Sequence, residues 1–429
     1  MRLAYKFIYF IFIYLNLFSA VYAAEQPKNT AYFLTLSDIH FDPFVSCYRI
    51  KEKPCPVIQQ LRYSSVTKWQ SIFSQYDKTH MAYGLDTNYP LLTLSLREAA
   101  IVANQYHPGF VIIFGDFLGH DFRRYYKKYA RDPSSEGYQQ FVNKTLQFIT
   151  EQINKTFPNL DVYAVVGNND TYQRNYTTKI RGEFLRDTAV TWSTLINNPS
   201  SRVAMQQQFS KGGFYAVDLP GPGHLRLITL NSVMFSHKAL GKNIDLAAKE
   251  ELIWLRNELM QARKNKQQVI LAMHIPASLD IYITPRIRLF TLAKLWKPAY
   301  TQQFKLILNE FAPQIVGVLS GHLHTDWSQV LTVNETDETF ISGVPSVSPV
   351  YRSDPGLKLF RYTFPPVKIE GADTFFYPLH KKTWEVKSFY ANNGGADGVT
   401  GNEFLFSSIC PRSIGGWLTG DLGKNPTLG

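Results

Sequence analysis

Cysteine is scarce in this sequence, and long uninterrupted blocks of Lys and Arg are absent. The cysteines are Cys47, Cys55 and Cys410, and their spacing does not match a zinc knuckle, so we do not expect them to bind metal. The formal net charge is +11. Because the densest basic cluster spans only residues 123–128, this charge indicates solubility and attraction of anions rather than a nucleic-acid-binding stripe.

Apolar segments long enough to cross a bilayer are also lacking after residue 23. At the N-terminus, Arg2 and Lys6 precede an apolar run at 7–18, and residues 21–23 supply a cleavage site. The run is shorter than the about 20 residues of a spanning helix, which favours a cleaved signal over a retained anchor. We therefore expect a signal peptide at 1–23 and a secreted or periplasmic protein. In such a protein Cys47 and Cys55 can form a disulfide, or all three thiols can stay free.

Five apolar runs each end in residues that can bind a metal. The runs lie at 32–36, 109–114, 162–166, 269–273 and 315–319. The polar residues that follow them, in order, are Asp38 and His40, Asp116, Asn168, His274, and His322 with His324. Runs of this kind are typical of buried strands, and parallel strands that end at one edge bring such side chains together. The pattern predicts a site at the carboxyl edge of a sheet.

Helical spacing separates these strands. Helices are predicted at 90–102, 137–157, 246–266 with Asp245 as N-cap, and 302–311. A strand, a helical crossover and a parallel strand form the expected unit, whereas 212–217 and 225–230 read as an antiparallel hairpin. Further strands are predicted at 339–342, 357–362 and 384–386. The fold class is therefore α/β with mixed sheets.

Two segments allow two readings each. Residues 171–211 follow a candidate ligand and are irregular in sequence, which suits either a substrate-contacting loop or a pair of surface helices. The aromatic residues within 282–300 can line a wall for a base or an acyl chain, or simply pack in the core.

The donor types restrict the metal. Two carboxylates, one amide and four imidazoles suit Zn, Mn or Fe better than Ca or Cu(I). Seven residues are too many for one ion but suffice for two if one carboxylate bridges. Two ions about 3.5 to 4 Å apart are the arrangement that activates water for phosphoester hydrolysis. Each motif alone is an ordinary turn, but their conjunction predicts a dinuclear metal site.

The motifs together resemble those of one known family. Asp-X-His, Gly-Asp, Gly-Asn, His and Gly-His-X-His, in this order over about residues 32–362, resemble the signature of the calcineurin-like metallophosphoesterases. The forms at 116–121, 273–276, 321–326, 346–349 and 354–360 are similar to those of the acid sphingomyelinase-like phosphodiesterases. The resemblance implies a four-layer α/β/β/α sandwich of two mixed sheets flanked by helices. The catalytic domain would span 24–406, followed by a C-terminal tail at 407–429.

The resemblance also implies a role for each matching residue. One ion would be held by Asp38, His40, Asp116 and His324, and the other by Asp116, Asn168, His274 and His322. Asp116 would then be the bridge, and a hydroxide shared by the ions would attack phosphorus. His120 resembles a family histidine near the phosphate that can donate a proton or a hydrogen bond.

The sequence departs from the family pattern at Asn169, where most relatives have a histidine that protonates the leaving group. Asparagine can donate a hydrogen bond but cannot supply a proton. Either His120 carries that step, or the leaving group is a good one, or activity is weak. A second departure is Gly119, which stands where purple acid phosphatases have a tyrosine for ferric iron. A redox-inert pair of divalent ions, most simply Zn²⁺, is therefore expected.

The function expected from the sequence is an exported dinuclear phosphodiesterase that hydrolyses phosphodiester or phosphoanhydride bonds of nucleotides or choline phospholipids. We expect a monomer with a small-molecule substrate, no nucleic-acid partner, and at most peripheral contact with a membrane, because no saposin-like cysteine pattern precedes the catalytic region. One alternative is an acid phosphomonoesterase or nucleotide phosphatase. Another, favoured by Asn169, is a metal- and phosphate-binding protein with impaired turnover.

Overall fold

Two six-stranded sheets form the centre of the protein. The computed structural model describes residues 29–76, 81–278, 294–333 and 337–390. The predicted signal peptide at 1–23, the predicted tail at 407–429 and most of the aromatic stretch at 282–300 lie outside the described residues.

The strands alternate with helices along most of the chain. The strands are β1 Thr30–Leu36, β2 Phe110–Ile113, β3 Asp161–Ala164, β4 Tyr215–Asp218, β5 Leu225–Leu230, β6 Gln268–Met273, β7 Ile315–Ser320, β8 Trp327–Val333, β9 Asp337–Gly343, β10 Gly356–Thr363, β11 Lys368–Phe376 and β12 Glu385–Tyr390. The α-helices are α1 Pro56–Tyr63, α2 Trp69–Tyr76, α3 Tyr89–Tyr106, α4 Phe122–Ala130, α5 Ser135–Thr156, α6 Glu183–Ser193, α7 Pro199–Gly212, α8 Ile244–Lys264 and α9 Pro298–Phe311. Short 3₁₀ helices occur at Val45–Tyr48, Val66–Lys68, Ser232–Phe235 and Ala312–Gln314.

Both sheets are mixed, as predicted. The first has the order β12-β11-β10-β1-β2-β3 and the second β4-β5-β6-β7-β9-β8. Strands β1, β2 and β3 are parallel to one another, and so are β5, β6, β7 and β9. The remaining strands pair antiparallel to their neighbours. The carboxyl ends of each parallel set therefore meet at one edge, where the candidate ligands lie.

Alternation along the strands divides the core into layers. In β6, Ile270 and Ala272 belong to the cluster shared with the first sheet, whereas Leu271 and Met273 belong to the cluster under α8 and α9. Between the sheets, the rings of Phe340 in β9 and Phe360 in β10 are 6.0 Å apart. Helices α3 and α5 bury their apolar residues against the first sheet. Helices, two sheets and helices thus form the predicted four-layer sandwich.

The start of helix α8 differs from the start predicted from its local sequence. The predicted N-cap of α8 was wrong: Asn243 stands at the N-cap position without a side-chain capping bond, and Asp245 lies in the first turn. The Asp245 carboxylate instead accepts hydrogen bonds from Lys297 Nζ at 2.6 Å and from the Tyr300 hydroxyl at 2.7 Å. Asp245 thus contacts a distant helix, and α8 begins without a side-chain cap.

Two open sequence questions are answered by the structure. Residues 171–211 contain a helix pair, α6 and α7, after a short irregular stretch that returns to the candidate site. Cys47 and Cys55 form a disulfide, with their Cα atoms 6.0 Å apart. Within the described residues, none of the helices combines the length and the apolar character needed to span a bilayer.

Candidate metal centre

The seven predicted ligands converge at the edge where the two sheets meet. They form two groups of three possible ligands, Asp38 with His40 and His324, and Asp116 with His274 and His322. Within each group the potential ligand atoms lie within 4.8 Å of one another. Asn168 adjoins the second group, because its Oδ1 is 3.1 Å from His274 Nε2. Each group draws side chains from both sheets.

An unusual backbone conformation places most of these side chains. Five of the seven residues have positive φ, namely Asp38 at 49°, His40 at 43°, Asp116 at 52°, His322 at 69° and His324 at 51°. Non-glycine residues rarely adopt this region, and each such residue typically costs about 1 to 3 kcal/mol. Repeated left-handed residues turn the chain sharply just after the strands end, where these buried side chains come together.

The two oxygens of the Asp38 carboxylate have different surroundings: one accepts hydrogen bonds, and the other faces the histidines. Its Oδ2 accepts a hydrogen bond from Ser37 Oγ and another from the His322 backbone N–H, at 2.9 Å for the latter. Its Oδ1 is buried and has no hydrogen-bond partner among the described residues. The nearest nitrogen is His324 Nε2 at 3.2 Å. The free oxygen thus faces the imidazoles.

Asp116 stands between the two groups. Its Oδ2 lies 3.4 Å from His40 Nε2 and 3.2 Å from His274 Nε2, one histidine from each group. Asn169 fixes the carboxylate, since its backbone N–H donates to Oδ1 at 2.7 Å and its Nδ2 donates to Oδ2 at 2.8 Å. Asn169, which stands at the catalytic position where most relatives have a histidine, is therefore a buried partner of Asp116.

Backbone carbonyls orient two of the histidines. His274 Nδ1 donates to the Phe114 carbonyl at 2.6 Å, and His40 Nδ1 donates to the Leu118 carbonyl at 3.1 Å. When Nδ1 is the donor, the Nε2 atom of the neutral ring carries a lone pair, and in both residues it faces the site. The carbonyls thereby select the tautomer that can bind a cation.

Asn168 is oriented by a residue of the following loop. Its Nδ2 donates a hydrogen bond to Asn175 Oδ1 at 2.8 Å, which turns Asn168 Oδ1 towards His274. Asn175 was not predicted as a site residue, because nothing in its local sequence distinguishes it from an ordinary loop asparagine.

Burial and mutual charge shift the titration of the groups. Burial opposes the charged form of His40, but Asp116, Asp38 and Asp86 outweigh it and raise its pKa to about 9. The pKa of His274 is likewise raised to about 9, because Asp116 and Asp38 overcome burial.

The other two histidines shift in the opposite direction. Burial lowers the pKa of His322 to about 3, with a further contribution from the charge of His274. Burial also lowers the pKa of His324. Burial works against the charged carboxylates too, but the surrounding histidines hold the pKa values of Asp38 and Asp116 below the usual range. The site therefore combines ionised carboxylates with imidazoles of differing basicity.

These atoms fit divalent cations. His40 Nε2 and His324 Nε2 are 3.2 Å apart, and two imidazole lone pairs cannot face each other at that distance without a proton or a cation between them. The unpartnered Oδ1 of Asp38 lies beside them. Nitrogen and oxygen donors in this mixture suit Zn, Mn or Fe.

His120 lies beside this centre and has two partners that the sequence did not predict. Its ring stacks on that of His40 at 4.1 Å. Asp86 Oδ1 is 3.0 Å from His120 Nδ1, and the Tyr351 hydroxyl is 3.3 Å from His120 Nε2. No buried strand precedes Asp86 or Tyr351, so the pattern that identified the ligands could not identify them.

Asp170 ties the loops of Asp116 and Asn168 together. Its Oδ1 accepts hydrogen bonds from the backbone N–H groups of Phe117 and Leu118, at 2.9 and 3.2 Å. Its Oδ2 accepts from the Gly167 N–H at 2.9 Å. Burial, reinforced by the charge of Asp116, raises the pKa of Asp170 to about 6. Its position in the Gly-Asn-Asn-Asp motif was the signal that could have identified it.

Comparisons with known proteins give one family. The model of the calcineurin-like phosphoesterase family matches residues 32–326, more than half of the chain. Among curated proteins, the cyclic GMP-AMP phosphodiesterase SMPDL3A of Mus musculus is 26% identical over 236 residues, covering 52% of this chain and 48% of that protein.

Two further relatives cover more of the chain. The acid sphingomyelinase-like phosphodiesterase 3b of Homo sapiens is 24% identical over 80% of this chain and 65% of that protein. The sphingomyelin phosphodiesterase A of Dictyostelium discoideum is 24% identical over 86% of this chain and 55% of that protein. The chain thus spans about half to two thirds of the length of these relatives.

The resemblance seen in the sequence motifs is therefore confirmed. So is the prediction of a metal-dependent phosphoric ester hydrolase, at the level of the family. Because the family model covers strands β2 to β7 and every predicted ligand, the chain belongs to the calcineurin-like phosphoesterase family.

Proposed function

We propose that this protein is an exported phosphodiesterase with two divalent cations, most simply Zn²⁺, bound by Asp38, His40, Asp116, Asn168, His274, His322 and His324. Two cations held in this way supply an activated water and stabilise charge on the phosphate oxygens. The substrate class is a small phosphodiester or phosphoanhydride, either a nucleotide or a choline phospholipid.

The position of Asp116 Oδ2 is the observation that carries this proposal. This oxygen lies within 3.4 Å of a histidine nitrogen from each three-residue group. A carboxylate that serves two groups at once suits a bridge, and the remaining donors divide evenly between its two sides. The two hydrogen bonds that Asn169 donates to Asp116 would keep that oxygen in place.

His120 is proposed as the residue that donates a proton or a hydrogen bond to the leaving oxygen. It is the histidine beside the centre that is not among the proposed ligands, and its side chain is 27% exposed, so a bound substrate can reach it. Asn169, at the position of the usual family acid, donates to Asp116 and cannot supply a proton. Asp86 and Tyr351 would hold the His120 ring in a fixed orientation.

The names of the relatives support both substrate classes. SMPDL3A is described as a cyclic GMP-AMP phosphodiesterase, and other relatives as sphingomyelin phosphodiesterases. Both descriptions concern phosphodiesters.

Export is supported by the Cys47–Cys55 disulfide. Stable disulfides form in oxidising compartments, and this one closes a loop next to α4. The signal peptide at 1–23 remains a prediction.

The test is a metal analysis of the purified protein followed by a substrate comparison. We expect about two Zn²⁺ per chain and faster hydrolysis of bis(p-nitrophenyl) phosphate than of p-nitrophenyl phosphate. Cyclic GMP-AMP and sphingomyelin would then separate the two substrate classes. Asp116→Asn serves as the inactive reference, and Asp218→Asn, an exposed carboxylate on β4, as the matched control.

Two results would overturn the proposal. Preferential hydrolysis of the monoester would favour the phosphomonoesterase alternative. Two bound ions with no turnover of any of these substrates would favour the impaired binding protein, for which the substitution at Asn169 is the supporting observation.

A further inference from the structure

A cluster of cations lies on the disulfide loop and at the end of α4, and within the described residues none of them forms an ion pair. We call it the cationic face. Its members come from the loop closed by the disulfide and from the end of α4, and they are Arg49, Lys51, Lys53, Lys127, Lys128 and Arg131.

Packing brings the two parts of this face together. The Cys55 backbone N–H donates to the Tyr129 carbonyl at 2.8 Å, which joins the disulfide loop to α4. Lys53 Nζ and Lys128 Nζ lie 4.7 and 5.0 Å from the centre of the Tyr129 ring. Two cations from separate segments thus share one aromatic side chain.

The cations of the face outnumber the acids, since Glu52 is the one carboxylate within the disulfide loop. Within the described parts of the chain, no carboxylate forms an ion pair with Lys53, Lys128 or Arg131, whereas the neighbouring Arg124 pairs with Asp121 at 2.6 Å. Desolvation together with the charges of Lys128 and Arg131 lowers the pKa of Lys53. Like charges held this close favour an anionic partner.

The face starts directly from the loops that carry the candidate ligands. The 3₁₀ helix Val45–Tyr48 follows His40, and α4 begins two residues after His120. Phe44 packs on Phe122 with ring centres 5.0 Å apart, which fixes the two segments against each other. The two segments that carry the face are therefore joined directly to the loops of His40 and His120.

Tyrosine side chains lie beside cations next to the face. Arg124 lies over the Tyr125 ring at 5.0 Å, and Arg62 lies over the Tyr63 ring at 5.3 Å. Tyr63 is 77% exposed, so its ring lies at the surface of the protein. Tyrosine mixed with Lys and Arg is typical of protein segments that lie at a membrane interface.

We propose that the cationic face binds the anionic headgroups of a lipid bilayer and holds the site edge at the membrane surface. Docking itself is independent of hydrolysis, whereas its use in reaching a lipid substrate rests on the proposed function. Each Lys or Arg near an anionic membrane contributes about fivefold to the partition constant, and this attraction weakens with salt.

The experiment measures co-sedimentation of the full protein with vesicles of phosphatidylcholine containing phosphatidylserine. Replacing three members of the face (Lys53→Gln, Lys128→Gln and Arg131→Gln) should lower the partition constant about 100-fold. The control removes the same charge from exposed positions on and just after α8, on the outer face of the other sheet (Lys249→Gln, Lys264→Gln and Lys266→Gln), and should leave most binding intact. Hydrolysis of soluble bis(p-nitrophenyl) phosphate should be the same in both variants.

Several outcomes would overturn the proposal. Equal loss of binding in the two triple variants would mean that net charge, and not this face, is responsible. Undiminished binding to pure phosphatidylcholine would exclude an electrostatic partner. Tighter binding of a single-stranded oligonucleotide than of the vesicles at equal salt would assign the face to nucleic acid. Vesicle binding in a protein without hydrolytic activity would leave this inference standing and reject only the proposed function.

Discussion

Asp86 accepts two hydrogen bonds from His120, one from the backbone N–H at 2.6 Å and one from Nδ1 at 3.0 Å. The carboxylate is almost fully buried and also accepts from Ser348 Oγ at 3.2 Å. Burial alone would raise the pKa of Asp86, but His120 and His40 lower it, so the group is ionised in the folded protein. The pair therefore fixes both the position of His120 and the atom, Nε2, that it presents.

Replacing Asp86 with Asn should impair hydrolysis in a way that depends on the leaving group. Since general-acid help is worth about 10² to 10⁴ for a poor leaving group and much less for a good one, we expect kcat for an alkyl phosphodiester to fall about 100-fold. The rate for bis(p-nitrophenyl) phosphate should change much less. Steady-state kinetics on the two substrates measure this ratio, with His120→Ala as the reference. An equal loss on both substrates would indicate a purely structural role.

The substitution Asn169→His tests whether the protein is catalytically impaired. Because Asn169 donates two hydrogen bonds to Asp116 and is buried, we expect the added imidazole to change kcat by less than about 10-fold, well below the full value of a general acid. Asn169→Ala should lower activity, since it removes the side-chain bond to Asp116. A gain of about 10² or more in the histidine variant would show that the natural protein lacks its acid.

Removing the side chain of Asn175 should weaken metal binding without removing a ligand. Asn168 would lose the acceptor that turns its Oδ1 towards His274, and partners of this kind typically contribute about 10- to 100-fold to metal affinity or activity. Titration of apo Asn175→Ala with Zn²⁺ in competition with a chelator measures the change. Asn197→Ala, a loop asparagine remote from the site, is the matched control. Unaltered affinity in Asn175→Ala would contradict the assigned orientation of Asn168.

Metal binding should release protons at neutral pH. The pKa values of His40 and His274 are raised to about 9 in the metal-free protein, so both rings are charged at pH 7.5 and must become neutral to bind a cation. We expect release of about two protons per chain at pH 7.5 and almost none at pH 10. Calorimetry in buffers of different ionisation enthalpy measures this number. Heat that does not vary with the buffer would contradict the prediction.

The same shifts predict how the apo protein responds to alkali. A raised folded-state pKa stabilises the fold fully below the unfolded-state value of about 6.5, and this contribution is lost as pH rises through about 9. Thermal unfolding of the apo protein should therefore shift to lower temperature between these values. The metal-loaded protein should shift less, because its imidazoles are already neutral.

The ligands could be predicted from the sequence because each follows a buried strand. His274 and His322 come directly after runs whose residues are almost fully buried, and such runs are recognisable without a structure. Asp86 and Asn175 were missed because their roles depend on contacts with residues 34 and 7 positions away in loops. Hydrophobic periodicity carries no information about such contacts.

The prediction that Asp245 is the N-cap of α8 was wrong for a related reason. Local preference favours Asp at an N-cap, but Lys297 and Tyr300 of a distant helix engage that carboxylate. The disulfide between Cys47 and Cys55 was one of two readings that the sequence left open, and spatial proximity decided it.

Hydrogen bonds also cross between the sheets at this edge. His274, which follows β6, donates to the carbonyl after β2, and the His322 N–H donates to Asp38, which follows β1. Sliding one sheet over the other would pull apart both halves of the centre at once. Bound cations would then hold the two sheets together. Chelation should therefore lower the stability of the whole sandwich and not merely empty a surface cleft.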